Sequence, residues 1–591
     1  MTLTAEPRAA EAAPPKRPRQ PLRHRLAERG VDWTLLWILP AVAIIAALFV
    51  YPFLYGLSIS FQPLRGDDPL SNYTDFFGDE YQRSSIWMTL RLAVPVALLS
   101  VVAAAPLAFR MRRDFRGRQM ITLVVLLPLT FGSVLIAQGM AQVFSTTGWV
   151  NLLLGAVGIP EQQFIYNYTG TFIATLLVSI PFAFVMLMGF FGGIDRSIED
   201  AAATLGAGRA ARFWRIVMPL ATPGLVTAFT LCLVEAFAVF PSAILVGQPD
   251  NATHVLTLPI YQAASQRSDY PAAAAIAMVN DGARAADPRR ADAPAQPALP
   301  RPVDGGQGMT AAAVRTHGTH RERPTLTAVV TWVAAGCFVL VVLGVLASVL
   351  VQSFAVTWRG GWWPDGLTPT WYARAWTATG LQNALVNTFQ AGALVVLVCL
   401  AAGVPAGYLL ARRQFPGRSV VMLLMLLPII LPPMTYAVQL AALMYRVGLG
   451  GTMTAVVLVN LVPTLPLVVL IMVPFVEQIP PSVESAARVF GADNLRLFTR
   501  VLIPLLLPGM LAAGILVLVR TLGAFELTFF VSSAQTQTLV VALFGAISDP
   551  GGVPISLTAA MAVTYMLVAV LGLAISLRHI TPSQAIRQRR R

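Results

Sequence analysis

Two segments of the sequence combine acidic residues, alanines, a glycine and a proline at matching spacing. They are Glu199, Asp200, Ala201, Ala202, Gly206 and Pro219 in the first, and Glu484, Ser485, Ala486, Ala487, Gly491 and Pro504 in the second. Alanines let a helix approach another surface closely, a glycine permits a turn that a Cβ would obstruct, and carboxylates can pair with the arginines of a partner. Because the pattern occurs twice, these segments are the strongest functional signal in the sequence; the alternative interpretation is an ordinary helical hairpin between spans.

Residues for nucleotide hydrolysis and metal binding do not form the necessary patterns. A phosphate-cradling loop needs the lysine of G-x-x-x-x-G-K-[ST], and Lys16, in a basic N-terminal segment, is the only lysine of the chain. Zinc sites need clustered ligands, whereas the histidines are scattered at His24, His254, His317, His320 and His579. We therefore expect a protein that is not an enzyme, with no catalytic residues, no metal and no cofactor.

The composition indicates a membrane protein. The chain has 591 residues, of which 56% are hydrophobic and only 12% are charged, too apolar for a soluble chain of this length. Its longest apolar runs reach the roughly 20 residues that a spanning helix needs. Helices satisfy their own backbone in lipid, so the predicted fold is all-α.

Charge between the apolar runs predicts the topology. Spans are predicted at 34–59, 88–109, 121–143, 171–193, 222–247, 325–353, 385–411, 419–445, 452–476, 505–532 and 556–577. Arginines concentrate in the connections 110–118, 194–221, 411–418 and 477–504, which the positive-inside rule assigns to the cytoplasm together with both termini. The formal net charge of +14 is explained by this rule, and no binding to nucleic acid is expected.

The chain repeats itself. Residues Arg112, Arg113, Phe115, Gly117 and Arg118 recur as Arg412, Arg413, Phe415, Gly417 and Arg418, at 412 − 112 = 300. The two acidic segments recur at 491 − 206 = 285, so the first copy has a longer outer connection. Both copies keep the same charged side, which indicates a parallel repeat about an axis along the membrane normal.

The duplicated segments resemble the EAA loop of binding-protein-dependent ABC permeases. That pattern is E-A-A, three residues, Gly, nine residues and I-x-L-P, and it fits twice, with Asp200 and Ser485 where the family most often has Glu. The resemblance implies two tandem six-helix halves of a type I importer permease in the plasma (inner) membrane. It also implies docking of ABC ATPase subunits, in two copies, and an extracytoplasmic solute-binding protein. Fused permeases of this type resemble the ferric iron, thiamine, polyamine and phosphonate importers.

The sixth span of the first half is weak, because the apolar run 272–279 stops at a polar triplet, 280–282. Either a frame error or truncation in the coding region for about 280–321 has removed the span, or a short sixth helix is extended by polar residues. The expected domains are a basic cytoplasmic tail at 1–33, a first half at 34–282, a disordered cytoplasmic linker at 283–324, a second half at 325–579 and a basic tail at 580–591.

Three charged residues lie well inside predicted spans. Glu235 and Arg520 occupy equivalent positions of the repeat, since 520 − 235 = 285, and Glu526 follows Arg520. Charges at membrane depth usually face a bundle interior or a water-filled path. We expect Glu235 and Arg520 to face each other across the two halves, although Glu526 could instead be the partner of Arg520. The interpretations are a solute path or a structural ion pair. The rival function is an ion-gradient-driven secondary transporter with a parallel six-plus-six repeat. That function would not explain why the two cytoplasmic loops match.

Overall fold

The structure is a computed structural model that describes residues 33–64, 67–112, 117–251, 253–285, 326–378, 380–549 and 551–588. These residues form helices and loops, with one isolated β-bridge between Ala355 and Leu367. The all-α prediction is therefore confirmed. Most of the tail expected at 1–33 and of the linker expected at 283–324 lies outside the described residues.

The helices follow the repeat. The first half contains α1 (Leu35–Ser60), α2 (Glu80–Arg110), α3 (Arg118–Val143), α4 (Tyr168–Gly193), α5 (Arg196–Thr204), α6 (Met218–Phe237) and α7 (Tyr270–Ala285). The second half contains α8 (Leu326–Phe354), α9 (Leu381–Arg412), α10 (Arg418–Ile430), α11 (Pro433–Arg446), α12 (Met453–Glu477), α13 (Pro481–Val489), α14 (Ile503–Leu522) and α15 (Ile555–Gln588). Short helices lie between them at Ser71–Gly78, Trp149–Ala156, Arg209–Arg212, Pro241–Leu245, Thr257–Tyr261, Thr370–Ala378, Asn494–Arg496, Glu526–Val531 and Leu539–Ile547.

Ten helices of the described part are long and apolar enough to cross a membrane, and the bent pair α10 and α11 supplies an eleventh if it counts as one span. This pair corrects the continuous span expected at 419–445, since its two helices meet at 101°. The break lies at Pro432 and Pro433, where the backbone has no N–H to donate. In the first half α3 has the equivalent kink at Gly132, whose backbone is non-helical.

The fifth spans also differ from the prediction. The continuous spans expected at 222–247 and 505–532 end as helices at Phe237 and Leu522, and the chain turns before the short helices that begin at Pro241 and Glu526. Each fifth span therefore breaks within the bundle. Loop residues at this depth are tolerated only where protein or a water-filled cavity surrounds them.

The sixth helix of the first half is present and short. The helix α7 begins at Tyr270 and α15 begins at Ile555, and 555 − 270 = 285 is the offset of the repeat. The 16 residues of α7 extend about 24 Å at 1.5 Å per residue, less than the roughly 30 Å of a bilayer core. Its apolar face is buried, including Ala273, Ile276 and Ala277.

The two halves interlock through their third helices. The helices α1 and α7 pack against α11, and the equivalent helices α8 and α15 pack against α3. Glycines permit the close approach. A Cβ added at Gly56 of α1 would collide with Gln439 of α11, and one added at Gly139 of α3 would lie 2.5 Å from Val345 of α8. Small residues at helix contacts are typical of membrane bundles, where packing drives association.

Candidate docking loops and solute path

The first loop is a short helix that ends in a glycine turn. The carboxylate of Asp195 accepts a hydrogen bond from the backbone N–H of Ser197 at 2.9 Å and caps α5, and the bonds from Ser197 lower the pKa of Asp195. At the other end Gly206 has φ 85°, and Ala207 donates its N–H to the carbonyl of Ala202 at 3.0 Å. This is a Schellman motif, in which glycine takes the left-handed position because it has no Cβ.

The second loop repeats this geometry. Gly491 has φ 81°, and Ala492 donates to the carbonyl of Ala487 at the same 3.0 Å. After each turn the chain passes through a π-helical segment into the fifth span, with Pro219 or Pro504 in the first turn of the α-helix. Proline has no N–H for a regular α-helical hydrogen bond, which fits a position directly after a wider π-helical turn.

Each loop exposes an apolar tip. Leu205 and Phe490, which precede the two glycines, are 88% and 89% exposed. The exposed residues of the predicted set are Asp200, Ala201, Gly206, Pro219, Ser485, Ala486, Gly491 and Pro504, whereas Ala202 and Ala487 are half-buried. A face of small residues with a large apolar side chain at its tip is suited to a groove on another protein.

The predicted carboxylates Glu199 and Glu484 have partners within the chain. A guanidinium N–H of Arg112 donates to Glu199 at 2.7 Å, and Arg412 donates to Glu484 at 2.7 Å. The side chains are only 5% and 18% exposed in the first pair, and 14% and 13% in the second. Arg112 follows the cytoplasm-assigned end of α2, and Arg412 is the last residue of α9, so each pair ties a loop helix to a spanning helix.

Sequence reasoning noted all four of these residues but did not pair them. The sequence did contain a signal for these pairs, because the two arginines recur at an offset of 300 and the two glutamates at an offset of 285. The pairing depends on how α2 and α9 end beside the loops, which spacing alone does not give. Each arginine also donates to a backbone carbonyl, that of Ile194 in the first copy and that of Ile479 in the second.

The two copies differ beside the glutamate. Tyr408 packs edge-on against Phe498, with ring centroids 5.8 Å apart, and donates its hydroxyl to Glu484 at 2.8 Å. Its equivalent in the first copy is Ala108, since 408 − 300 = 108, which has no hydroxyl to donate. Phe213, the equivalent of Phe498, packs edge-on against the neighbouring Phe109 at 5.3 Å. The glutamate of the second loop therefore accepts a tyrosine hydrogen bond that the first copy cannot make.

The three charged residues of the spans lie at the breaks in the fifth spans. Glu235 and Arg520 lie within the last turns of α6 and α14 and are exposed, and Glu526 lies in the first turn of a short helix and is half-buried. The carboxylate of Glu526 interacts electrostatically with both Glu235 and Arg520. Charged residues from both halves therefore lie in one region. The facing of Glu235 and Arg520 remains a prediction.

Beside these charges the halves meet through Phe240 and Phe525. The rings stack at 18° with centroids 6.0 Å apart, and both residues are buried. They are equivalent in the repeat, since 525 − 240 = 285. A residue that contacts its own equivalent must lie beside the axis that relates the two halves. Phe544 packs on both rings, at 6.0 Å and 4.7 Å, so an aromatic cluster lies beside the axis.

Comparison with known proteins agrees with this architecture. Residues 97–280 and 403–585 match the family described as "Binding-protein-dependent transport system inner membrane component". The probable sulfate transport system permease protein cysT of Prototheca wickerhamii is 31% identical over 32% of this chain and 74% of its own length. The ferric transport system permease protein FbpB of Actinobacillus pleuropneumoniae is 22% identical over 72% of this chain and 61% of its own length.

The molybdenum transport system permease protein ModB of Escherichia coli K12 is 31% identical over 29% of this chain and 81% of its own length. Among solved structures, a bacterial alginate ABC transporter in complex with a periplasmic protein aligns over 45% of this chain and 93% of its own, with 22% identity and a TM-score of 0.40. The family matches cover more than half of the chain, once in each half. The chain is therefore a multi-pass inner membrane protein that belongs to the binding-protein-dependent permeases of ABC transporters, a family of transport proteins rather than enzymes, and it carries the family's domain twice.

Proposed function

We propose that this chain is the transmembrane permease subunit of an ATP-driven solute importer. Its two halves, at 34–282 and 325–579, form the solute path between them. Each loop helix docks one separate ATPase subunit on the cytoplasmic side, where both termini and the linker at 283–324 also lie. An extracytoplasmic binding protein delivers the solute to the opposite side.

The observation that carries this proposal is the duplicated loop with its exposed apolar tip. Burying a side chain of the size of Leu205 or Phe490 stabilises a complex by about 1.5–3 kcal/mol, whereas leaving it in water gains nothing. The two tips are equivalent in the repeat, since 490 − 205 = 285, so a pair of identical or similar subunits could occupy both. The solute path runs along the axis that relates the two halves, and Phe240 and Phe525 close it. Movement of the two ATPase subunits opens the path at these residues.

Co-purification tests the docking. The chain purified alone should hydrolyse no ATP, and with its P-loop ATPase it should form a complex that the Leu205→Glu and Phe490→Glu substitutions weaken. Each should lower the affinity at its loop by about tenfold or more, as expected when about 1.4 kcal/mol or more of apolar burial is lost. Val157, which is 78% exposed on the opposite side of the predicted topology, provides the control Val157→Glu.

Two results would contradict the proposal. One is robust ATP hydrolysis by the isolated polypeptide, which would place an ATPase site in this chain. The other is a complex that tolerates glutamate at both tips as well as it tolerates glutamate at position 157. The solutes to test first for uptake are those for which the relatives are named: sulfate, ferric iron and molybdenum.

A further inference from the structure

The buried arginine–glutamate pairs form the same three-way junction in both halves. Arg112 joins the end of α2, the carbonyl of Ile194 after α4, and Glu199 in the first turn of α5. Arg412 joins the same three elements of the second half through Ile479 and Glu484. An arginine can make such a bridge because its guanidinium presents several N–H donors in a fixed plane.

We propose that Arg112 and Arg412 are positioning residues that fix the docking helices to the spanning helices, so that ATPase movement is transmitted to α2 and α9 instead of being absorbed by the loops. This inference rests on the proposed docking of ATPase subunits. Apart from the junction, α5 and α13 are held by their chain connections and by partly buried side chains, among them Ala202, Val483 and Ala487.

The low exposure of these ion pairs and their position at the helix ends suit them to hold the docking helices in place. An exposed ion pair contributes little and exchanges freely with water, whereas removing one partner of a buried pair leaves a charge without compensation. Each arginine also lies at the carboxyl end of a spanning helix, where its positive charge complements the helix dipole. The pairs therefore hold one geometry in which loop and span move together.

The hydroxyl of Tyr408 gives the second junction a further hydrogen bond. Glu484 accepts from both Arg412 and Tyr408, whereas the equivalent of Tyr408 in the first copy is Ala108, which has no donor in its side chain. The Tyr408→Phe substitution removes this hydrogen bond and keeps the aromatic ring that packs on Phe498. It therefore separates anchoring from folding.

The first measurement needs no ATPase. A spin label at Leu205→Cys in the full chain reports the motion of the first loop on the nanosecond timescale. The background should carry Cys337→Ser, because Cys337 is exposed whereas Cys232 and Cys399 are buried. We expect Arg112→Ala to shift the spectrum toward fast motion, Arg112→Lys to shift it less, and Arg112→Glu with Glu199→Arg to restore part of the slow component.

The second measurement is solute transported per ATP hydrolysed, in vesicles that contain the complex. Loss of a junction should lower this ratio at least about tenfold, the scale of a coupling free energy between sites, while ATP hydrolysis persists. A misfolded variant would lose both activities, so the ratio separates positioning from folding. The matched control is Arg496→Ala, which removes an exposed ion pair with Asp493 at 3.8 Å beyond the second glycine turn and should leave both readouts unchanged.

The outcomes separate this inference from the function on which it rests. If wild-type chain binds no ATPase, the proposed docking fails, and the label measurement alone then decides whether the junctions immobilise the loops. If wild type couples normally and Arg112→Ala and Arg412→Ala change neither the label spectrum nor the transport ratio, the positioning role is refuted and the docking stands.

Discussion

Replacing the glycine of either loop by valine should disable docking without unfolding the protein. Gly206 and Gly491 have φ 85° and 81°, in the left-handed region that L-residues other than asparagine and aspartate rarely adopt. A Cβ at either position would meet nothing within 4 Å. The effect within the permease must therefore come from the backbone conformation and not from a collision.

The magnitude follows from that conformation. A side chain in the left-handed region costs roughly 1–2 kcal/mol, and a β-branched residue is a stronger outlier there, at up to about 3 kcal/mol. Since 1.4 kcal/mol is tenfold in an equilibrium, about 2–3 kcal/mol leaves roughly 30- to 150-fold fewer loops in the native turn. Alanine should cost about 1 kcal/mol and asparagine less, because its side chain tolerates this region.

The assay is the affinity of the purified ATPase for permease variants in vesicles, with the amount of permease in the membrane measured alongside. The affinity at the altered loop should fall in the order Gly, Asn, Ala, Val, and the amount of protein should not change. Gly208→Asp is the control, because Gly208 has no positive φ and its equivalent in the second loop is Asp493, since 493 − 208 = 285. A valine variant within twofold of wild type, or an asparagine variant as impaired as valine, would refute the reasoning.

Four further expectations concern the rest of the chain. A topology reporter fused within 283–324 should read cytoplasmic by the positive-inside rule; an extracytoplasmic result would mean that α7 does not complete a sixth crossing. Glu235→Ala or Arg520→Ala should lose transport, and exchanging the two residues should recover part of it, because an unpaired charge at this depth is costly; recovery of nothing would contradict the pairing. Phe240→Ala should open an ATP-independent leak, measured as solute flux into vesicles without ATPase, and tight vesicles would argue against closure at the axis. Burial lowers the pKa of His254 below its usual 6.5, so the folded state favours the neutral imidazole. The stability that this contributes is present above about pH 6.5 and is lost as the pH falls. Between about pH 7 and pH 5, the melting temperature of wild type should therefore drop more than that of His254→Asn.

The sequence predicted the breaks in the spans poorly for a physical reason. Apolar composition sets how many residues lie in lipid, and by that measure 419–445 and 505–532 are continuous. Composition does not show where the backbone can leave the helix, which depends on whether neighbouring helices surround it. Pro432 and Pro433 lack an N–H, but prolines within α2, α4 and α12 do not end those helices, so proline alone did not identify the break.

The sequence by itself determined the all-α membrane fold, the parallel repeat and the two loops, because each depends on residue type and spacing along the chain. Glycine at 206 and 491 predicts its own turn, and the structure has that turn in both loops. Only the tertiary structure decided that Glu199 and Glu484 are held by arginines of the spanning helices and that Phe240 stacks on Phe525. Those contacts join residues far apart in the chain, and they depend on the depth and rotation of packed helices, which the periodicity of an almost wholly apolar helix does not encode.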